Sequence, residues 1–420
     1  MKSPASRKYF IVDDDPTISE LVEALLVNAG HTVSSCTSSV EALERIAAEK
    51  PDVVIADIML PVMDGFQLCK RIKSAPDLAD VHVVMLSAKA YDFDRAYAQK
   101  MGADGYIVKP FNPLTLTDEL EAIVASDMTL KYWGVRGTLP VPGEGSLRYG
   151  GNTSCVSIEV PNKPLLIFDA GTGIKKLSDS LFAAPKKRLS AKIFISHPHW
   201  DHINALPFFG PMYVPGNEFE VLGARHGDTT MRELISAQMD GIYFPITIRE
   251  FSARIYFRDL GEETVNIDGI TVRTMLLNHP GNCLGYRIEH HDRSICYITD
   301  NELFLPDNPL YNANYVERLI DFCRGADLLI TDTTYTDAEY ATKVTWGHSC
   351  ISRVVDLAHR AEVKTLHLFH HDPNQNDDAI DAKLEQARAA LADLGSKTVC
   401  EAPAEGTTLK LRCCRDAGDD

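Results

Sequence analysis

The sequence predicts an α/β protein of two units in tandem, a doubly wound parallel sheet followed by a larger, strand-rich unit. Three observations lead there. Over residues 8–125 short apolar runs alternate with amphipathic stretches. From Trp133-Gly134-Val135-Arg136-Gly137-Thr138 onward that rhythm breaks, strands dominate, and turns become rich in Gly, Pro and Asn. At 420 residues the chain also exceeds what one ordinary core takes up. The expected units are residues 1–125 and 126–420.

Composition narrows the functional class. A hydrophobic content of 45% with 24% charged residues is that of a soluble globular protein. No apolar run approaches the roughly 20 residues that span a bilayer. Met1 to Arg7 lack the apolar core of a signal peptide. No membrane association is expected, and the expected location is cytoplasmic. The ten cysteines form no CxxC pair and read as reduced thiols, with Cys413-Cys414 belonging to a frayed terminus. A net charge of −17 argues against a protein that tracks long nucleic acid by its surface field.

In the first unit, Tyr9-Phe10-Ile11-Val12, Val53-Val54-Ile55-Ala56, Val83-Val84-Met85-Leu86 and Tyr106-Ile107-Val108 are short and apolar, as doubly covered parallel strands should be. Ile18, Leu21, Val22, Leu25 and Leu26 recur at helical spacing, with Asp15-Pro16 as cap and first-turn proline and Gly30 as terminator. Such sheets carry their chemistry at the carboxyl ends of the strands. There stand Asp13, Asp14, Asp57, Ser87 and Lys109. Three converging carboxylates call for a cation, and hard oxygen ligands select Mg²⁺. A lysine and a hydroxyl on the same rim suit a phosphoryl group.

This set resembles the response-regulator receiver family, with its flavodoxin-like fold, over the whole of residues 8–125. The resemblance implies that Asp57 is the phosphoacceptor and that Asp13 and Asp14 hold Mg²⁺ with it. It implies that Ser87 and Lys109 bond the phosphoryl oxygens and that Tyr106 is the aromatic that reorients. A sensor histidine kinase is then the expected phosphodonor.

In the second unit, Ser196-His197-Pro198-His199-Trp200-Asp201-His202 follows the apolar strand Ile193-Phe194-Ile195. Three histidines and an aspartate within six positions form a metal-binding arrangement suited to Zn²⁺ and its first-row neighbours. His197 and His199 alternate off the strand end, while Asp201 and His202 open the next helix. That placement splits the ligands between two adjacent metals. Histidines elsewhere (His226, His359, His367 and the hairpin pair His290-His291 before Asp292) read as structural or solvated. The Gly-rich stretch Arg148 to Ser154 reads as a tight turn.

The HxHxDH pattern resembles the metallo-β-lactamase superfamily, and further elements follow in that family's order from about residue 130 to 412. The resemblance implies an αββα sandwich with two Zn, or Mn or Fe, at one sheet edge. Asp169 matches the early aspartate that steadies the metal loop. His279 matches the next ligand, Asp300 the bridging carboxylate and His370 the last histidine. His370 is preferred to the adjacent His371 because Pro373 then falls where ribonuclease Z proteins have theirs. The implied sites are His197, His199 and His279 for one metal, and Asp201, His202 and His370 for the other.

Within that superfamily the chain is most similar to the ribonuclease Z and phosphodiesterase branch. Thr331-Asp332-Thr333-Thr334 and Gly347-His348-Ser349 stand where those enzymes carry an acidic element and a Gly-His-Ser element. The implied roles are His348 as proton donor to the leaving oxygen, Asp332 as its partner, and Asp201 as acceptor of the water's proton. Thr331 and Asp332 replace a histidine and a glutamate of that element. Pro207 to Pro215 leave no room for the arm those enzymes use to grip transfer RNA. The expected substrate is therefore a small phosphodiester, a cyclic nucleotide or short oligonucleotide. The alternatives are an activated acyl compound (lactone, thioester or lactam) and a di-iron sensor without hydrolysis, although di-iron relatives carry glutamate where this chain has His199. A homodimer is compatible with either.

Overall fold

The computed structural model describes residues 6–78, 81–88, 92–124, 128–161, 163–183, 188–242, 244–291 and 293–411. Cys413, Cys414 and Asp292 lie outside them. The chain divides into two compact units, Met1–Ser126 and Asp127–Asp420.

The first unit runs β1 (Lys8–Val12), α1 (Pro16–Asn28), β2 (Thr32–Cys36), α2 (Ser39–Glu49), β3 (Val53–Asp57), α3 (Gly65–Ser74), β4 (His82–Ser87), α4 (Asp92–Lys100), β5 (Gly105–Val108) and α5 (Leu116–Val124). Its five strands are parallel in the order β2-β1-β3-β4-β5. The apolar strand residues alternate between two cores. Phe10, Val12, Val54 and Val83 pack with α2 and α3, while Tyr9, Ile11, Ile55 and Val84 pack with α1 and α5. The Asp15 carboxylate caps α1 by accepting from the amide of Thr17. The strand order reverses between β1 and β3, which is where such sheets open a crevice at their carboxyl ends.

The second unit adds strands β6 (Met128–Gly134), β7 (Cys155–Glu159), β8 (Leu165–Phe168), β9 (Ser190–Ile195), β10 (Glu218–Ala224), β11 (Arg254–Leu260), β12 (Thr264–Ile267), β13 (Ile270–Leu277), β14 (Cys283–His290), β15 (Arg293–Ile298), β16 (Leu328–Asp332), β17 (Thr365–Phe369), β18 (Val399–Glu401) and β19 (Thr408–Leu411). Its helices are α6 (Ile174–Ala183), α7 (Trp200–Ile203), α8 (Met231–Ala237), α9 (Ala313–Cys323), α10 (Asp337–Tyr340), α11 (Ile351–Arg360) and α12 (Asp377–Asp393). One mixed sheet has the order β11-β10-β9-β8-β7-β6-β19, the other β12-β13-β14-β15-β16-β17-β18.

These sheets lie face to face. Tyr132, Phe168, Phe194 and Leu222 of the first share a core with Tyr286, Ile288, Tyr297 and Phe369 of the second. Phe168 and Phe194 stack at 5.2 Å, a pairing that adds about 0.5–1.5 kcal/mol beyond area burial. The outer face of the first sheet is covered by α6 and α8, that of the second by α9, α11 and α12. The result is an αββα sandwich, a metallo-β-lactamase fold.

One reading of a histidine needs adjustment and another is borne out. His290 is not a solvated turn residue: it is the last residue of β14, paired with Arg293, and is 5% exposed. His367 is a partnered core histidine, with Tyr132 Oη at 2.6 Å from Nδ1 and the Glu401 carboxylate at 3.4 Å from Nε2.

Candidate metal centre and phosphoacceptor pocket

At the carboxyl ends of β1, β3 and β4, Asp13, Asp57 and Ser87 are buried, while Asp14 is exposed. Asp13, Asp14 and Asp57 each offer an oxygen within 4.8 Å of the others, a spacing that fits one hard cation. Lys109 reaches in from the end of β5, its Nζ 2.6 Å from Asp13 Oδ2 and 3.2 Å from Asp57 Oδ1. Burial raises the Asp57 carboxyl above its usual range, opposed by Lys109 and reinforced by Asp13. Burial also disfavours charge on Lys109, but Asp13 and Asp57 outweigh it and raise its pKa. Gly65 opens α3 directly against this pocket, where a Cβ would overlap the Asp57 carbonyl. Tyr106 lies on β5 with the Arg95 guanidinium 5.2 Å above its ring.

The second unit gathers its candidate ligands at one end of both sheets. His197, His199, Asp201 and His202 come from the turn joining β9 to α7. His279 follows β13, Asp300 follows β15, and His370 follows β17. They form two groups, His197/His199/His279/Asp300 and Asp201/His202/Asp300/His370, each with ligand atoms within 4.8 Å of one another. Asp300 belongs to both through different oxygens. Its Oδ2 is 3.5 Å from His197 Nε2 and 3.7 Å from His279 Nε2. Its Oδ1 is 3.1 Å from His202 Nε2 and 3.0 Å from His370 Nε2. Asp201 Oδ2 is 3.2 Å from both His202 Nε2 and His370 Nε2.

The far nitrogens of His197, His202, His279 and His370 are held, which orients these rings and aims Nε2 at the cluster, whereas His199 turns its Nδ1 inward. His202 Nδ1 donates to Asp169 Oδ2 at 2.8 Å, and His279 Nδ1 donates to the Gly347 carbonyl at 2.9 Å. His370 Nδ1 lies 3.1 Å from Thr334 Oγ1, and His197 Nδ1 lies 3.1 Å from Ser196 Oγ. Asp169 also accepts from the Ser196 amide and hydroxyl and from Tyr297 Oη, so one carboxylate braces the whole turn. Asp169, Asp300 and His370 all have positive φ, at 59°, 27° and 59°. Non-glycine residues adopt that backbone only where the surroundings enforce it. His371, by contrast, packs edge-on near Tyr149 and belongs to neither ligand group.

The electrostatics favour a cation. Burial opposes charge on Asp300, yet His370, His202 and His197 hold its carboxyl well below the usual range. Burial likewise opposes charge on His202, but Asp201, Asp300 and Asp169 outweigh it and raise its pKa well above the usual value. His197 is driven the other way, by burial first and then by His202. The buried Nε2 atoms of His197 and His202 make no aligned hydrogen bond, while those of His279 and His370 face His199 Nδ1 and Asp201 Oδ2 at 3.2 Å. Five imidazoles and two carboxylates in this arrangement fit two Zn²⁺, Mn²⁺ or Fe ions.

Beside the cluster, His348 Nδ1 lies 2.9 Å from Asp332 Oδ2, and the His348 ring stacks on His370 at 5.0 Å. Burial disfavours the imidazolium, but Asp332, with Asp300 and Asp201, overrides it and raises His348 to about 9. Four supporting residues escape sequence reading. The Thr138 amide donates to Asp201 Oδ2 at 2.7 Å. Thr334 Oγ1 bonds Asp332 Oδ1 at 2.6 Å. Tyr297 Oη holds Asp169. Glu302 accepts from the Gly347 amide, the Thr345 amide and Tyr340 Oη, anchoring the loop that delivers His348. Only its position two residues after Asp300 hints at this.

Residues 9–121 match the response regulator receiver domain family, and residues 166–371 match the beta-lactamase superfamily domain. Among curated proteins, the chain is 34% identical over 119 residues to the alkaline phosphatase synthesis transcriptional regulatory protein PhoP of Bacillus subtilis (strain 168), covering 28% of this chain and 49% of that protein. It spans about half the length of such curated relatives. Among solved structures, a putative response regulator from Chloroflexus aurantiacus J-10-fl is 35% identical, with 28% of this chain and 98% of that one covered and a TM-score of 0.28. The metallo-beta-lactamase fold protein YhfI from Bacillus subtilis is 17% identical, with 68% and 99% covered and a TM-score of 0.48. The chain thus joins a response regulator receiver domain to a domain of the beta-lactamase superfamily.

Proposed function

We propose that the second domain is a dinuclear metal hydrolase of small phosphodiesters, a cyclic nucleotide or short oligonucleotide, placed under control of the receiver. The observation that carries this is the His348–Asp332 pair at 2.9 Å beside the ligand cluster. A positioned proton donor matters most when the leaving group is a poor one, such as a ribose hydroxyl. It has much less to do for an activated acyl compound.

His197, His199, His279 and Asp300 would hold one cation, and Asp201, His202, His370 and the same Asp300 the other. Two such cations would supply hydroxide near neutral pH and neutralise charge on the phosphoryl oxygens. Asp201 takes the proton that the attacking water loses. His348, charged through Asp332, gives its proton to the departing oxygen. In the receiver, Asp13, Asp14 and Asp57 would hold Mg²⁺, Asp57 would accept the phosphoryl group from a sensor histidine kinase, and Ser87 and Lys109 would bind its oxygens.

The test is metal analysis of purified protein coupled to a substrate screen. About two first-row metals per chain are expected, with turnover of bis-aryl phosphates and cyclic nucleotides above that of lactones, thioesters and lactams. Faster turnover of the acyl compounds would overturn the phosphodiesterase reading.

A further inference from the structure

Two of the chain's three tryptophans are left in solvent. Trp200 is 79% exposed and Trp346 57%, whereas Trp133 is 8% exposed. An indole is among the largest apolar surfaces a side chain offers, and burial or a partner is its usual fate. Both exposed indoles are borne on segments that meet at one imidazole. Trp200 opens α7 between His199 and Asp201, and His199 Nδ1 is 3.2 Å from His279 Nε2. Trp346 precedes Gly347, whose carbonyl accepts from His279 Nδ1 at 2.9 Å. Gly347 has φ 86° and packs so closely that a Cβ would overlap the His279 ring, so this loop lies directly on that histidine. His199 is itself exposed, which places this part of the cluster at the solvent face. Beside Trp346 the Lys343 ammonium sits 3.9 Å from the ring centroid.

We propose that Trp200 and Trp346 form a stacking subsite for a nucleobase, so that the phosphodiester substrate is a nucleotide. This rests on the phosphodiesterase reading and narrows it. Flat, solvated indoles beside a phosphate-cleaving cluster match the flat faces of a base, and base–aromatic stacking tolerates any base identity. Lys343, whose ammonium lies over one face of the Trp346 ring, adds a positive charge for a phosphate or a base carbonyl. Two indoles serve one or two bases, and the net charge of −17 gives no track for a longer strand.

The experiment titrates the full-length, metal-loaded protein with adenosine 5′-monophosphate and with ribose 5-phosphate. Tryptophan fluorescence and competition against bis-aryl phosphate hydrolysis are followed in parallel. Because Trp133 is buried, quenching reports the two exposed indoles. The adenylate is expected to bind about ten to a hundred times more tightly than the sugar phosphate. Trp200→Ala and Trp346→Ala should each shrink that ratio, and Trp200→Phe and Trp346→Phe should restore much of it. Equal affinity for the two probes, or a ratio unmoved in both alanine variants, overturns the subsite. Hydrolysis of bis-aryl phosphate without base discrimination keeps the phosphodiesterase reading and removes the subsite. Base discrimination without hydrolysis of any phosphodiester keeps the subsite and removes the reading.

Discussion

His348 and Asp332 are joined by a 2.9 Å hydrogen bond, and the carboxylate is fully buried. That partner keeps the imidazole charged to about pH 9, and cations bound at Asp300 would draw this limit downward. His348→Ala should therefore slow substrates with alkoxide leaving groups by about 10²–10⁴-fold. Release of nitrophenolate, which needs no proton, should fall far less. A raised histidine pKa means the acid form is present below it and lost above it. Alkoxide-releasing kcat should then decline on the alkaline side, and Asp332→Asn should shift that decline to lower pH. Equal losses on both substrate types would make His348 a substrate-positioning group instead.

Gly137 and His370 give a test of the second cation position alone. A Cβ on residue 137 would overlap the His370 ring, to which the three nearest atoms all belong. Gly137→Ala should lower occupancy of the Asp201/His202/His370 position and leave the His197/His199/His279 position filled. His199→Ala should empty the other position first and abolish hydrolysis. Metal content per chain, read over a series of chelator concentrations, separates the two. Coordination by His371 in a metal-loaded crystal would refute the assignment of His370.

The ligand run on β9 and α7 is legible because its residues are contiguous, so the strand end and the helix start fix their geometry. The receiver carboxylates are legible for a similar reason, each closing a short apolar strand. Asp300 and His370 stand alone in the chain, His370 lying 169 residues from the Asp201 it faces, and only family resemblance picks them out. Thr138, Thr334 and Glu302 carry no such signal. Thr138 acts through its backbone amide, which every residue but proline has, on a carboxylate 63 positions later. Glu302 acts by receiving two amides from a loop more than 40 residues on, a closure that no local pattern encodes. The positive φ of Asp169, Asp300 and His370 is tolerated by Asp and His but not signalled by them, because packing sets it.

Lys383 on α12 is completely buried, its Nζ donating to the Thr333 carbonyl at 2.6 Å and to Gln375 Oε1 at 2.7 Å. Burial pushes the amine down to about 7, with Glu339 and Asp332 resisting. Between that value and the ordinary 10.5 the unfolded chain binds more protons than the folded one. The lysine thus destabilises the fold fully below pH 7, and this cost is relieved as pH rises toward 10.5. Its contribution to the slope reaches at most about 1.4 kcal/mol per pH unit. Urea unfolding of the metal-free chain, compared with Lys383→Met, should show that slope only when the lysine is present. Parallel pH dependences would mean that the amine stays charged inside the fold, held by its carbonyl partners.

Asp57 lies 3.2 Å from Lys109, in a pocket whose other carboxylates, Asp13 and Asp14, can share a cation. A phosphoryl group on Asp57 would add negative charge there, which Lys109 and a bound Mg²⁺ would offset and toward which the Ser87 hydroxyl would be drawn. On the proposed reading Ser87 moves toward the phosphoryl group and Tyr106, on the neighbouring strand β5, would turn inward in response. Such a local change biases a two-state face of the receiver. It shifts that equilibrium only by its differential interaction with the two states, so a modest effect is expected. Turnover and oligomer size should differ between protein with and without beryllofluoride and Mg²⁺, and Asp57→Asn should show no response. If the mimic binds while turnover and assembly both stay fixed, the receiver is a docking module and hydrolysis runs independently of it.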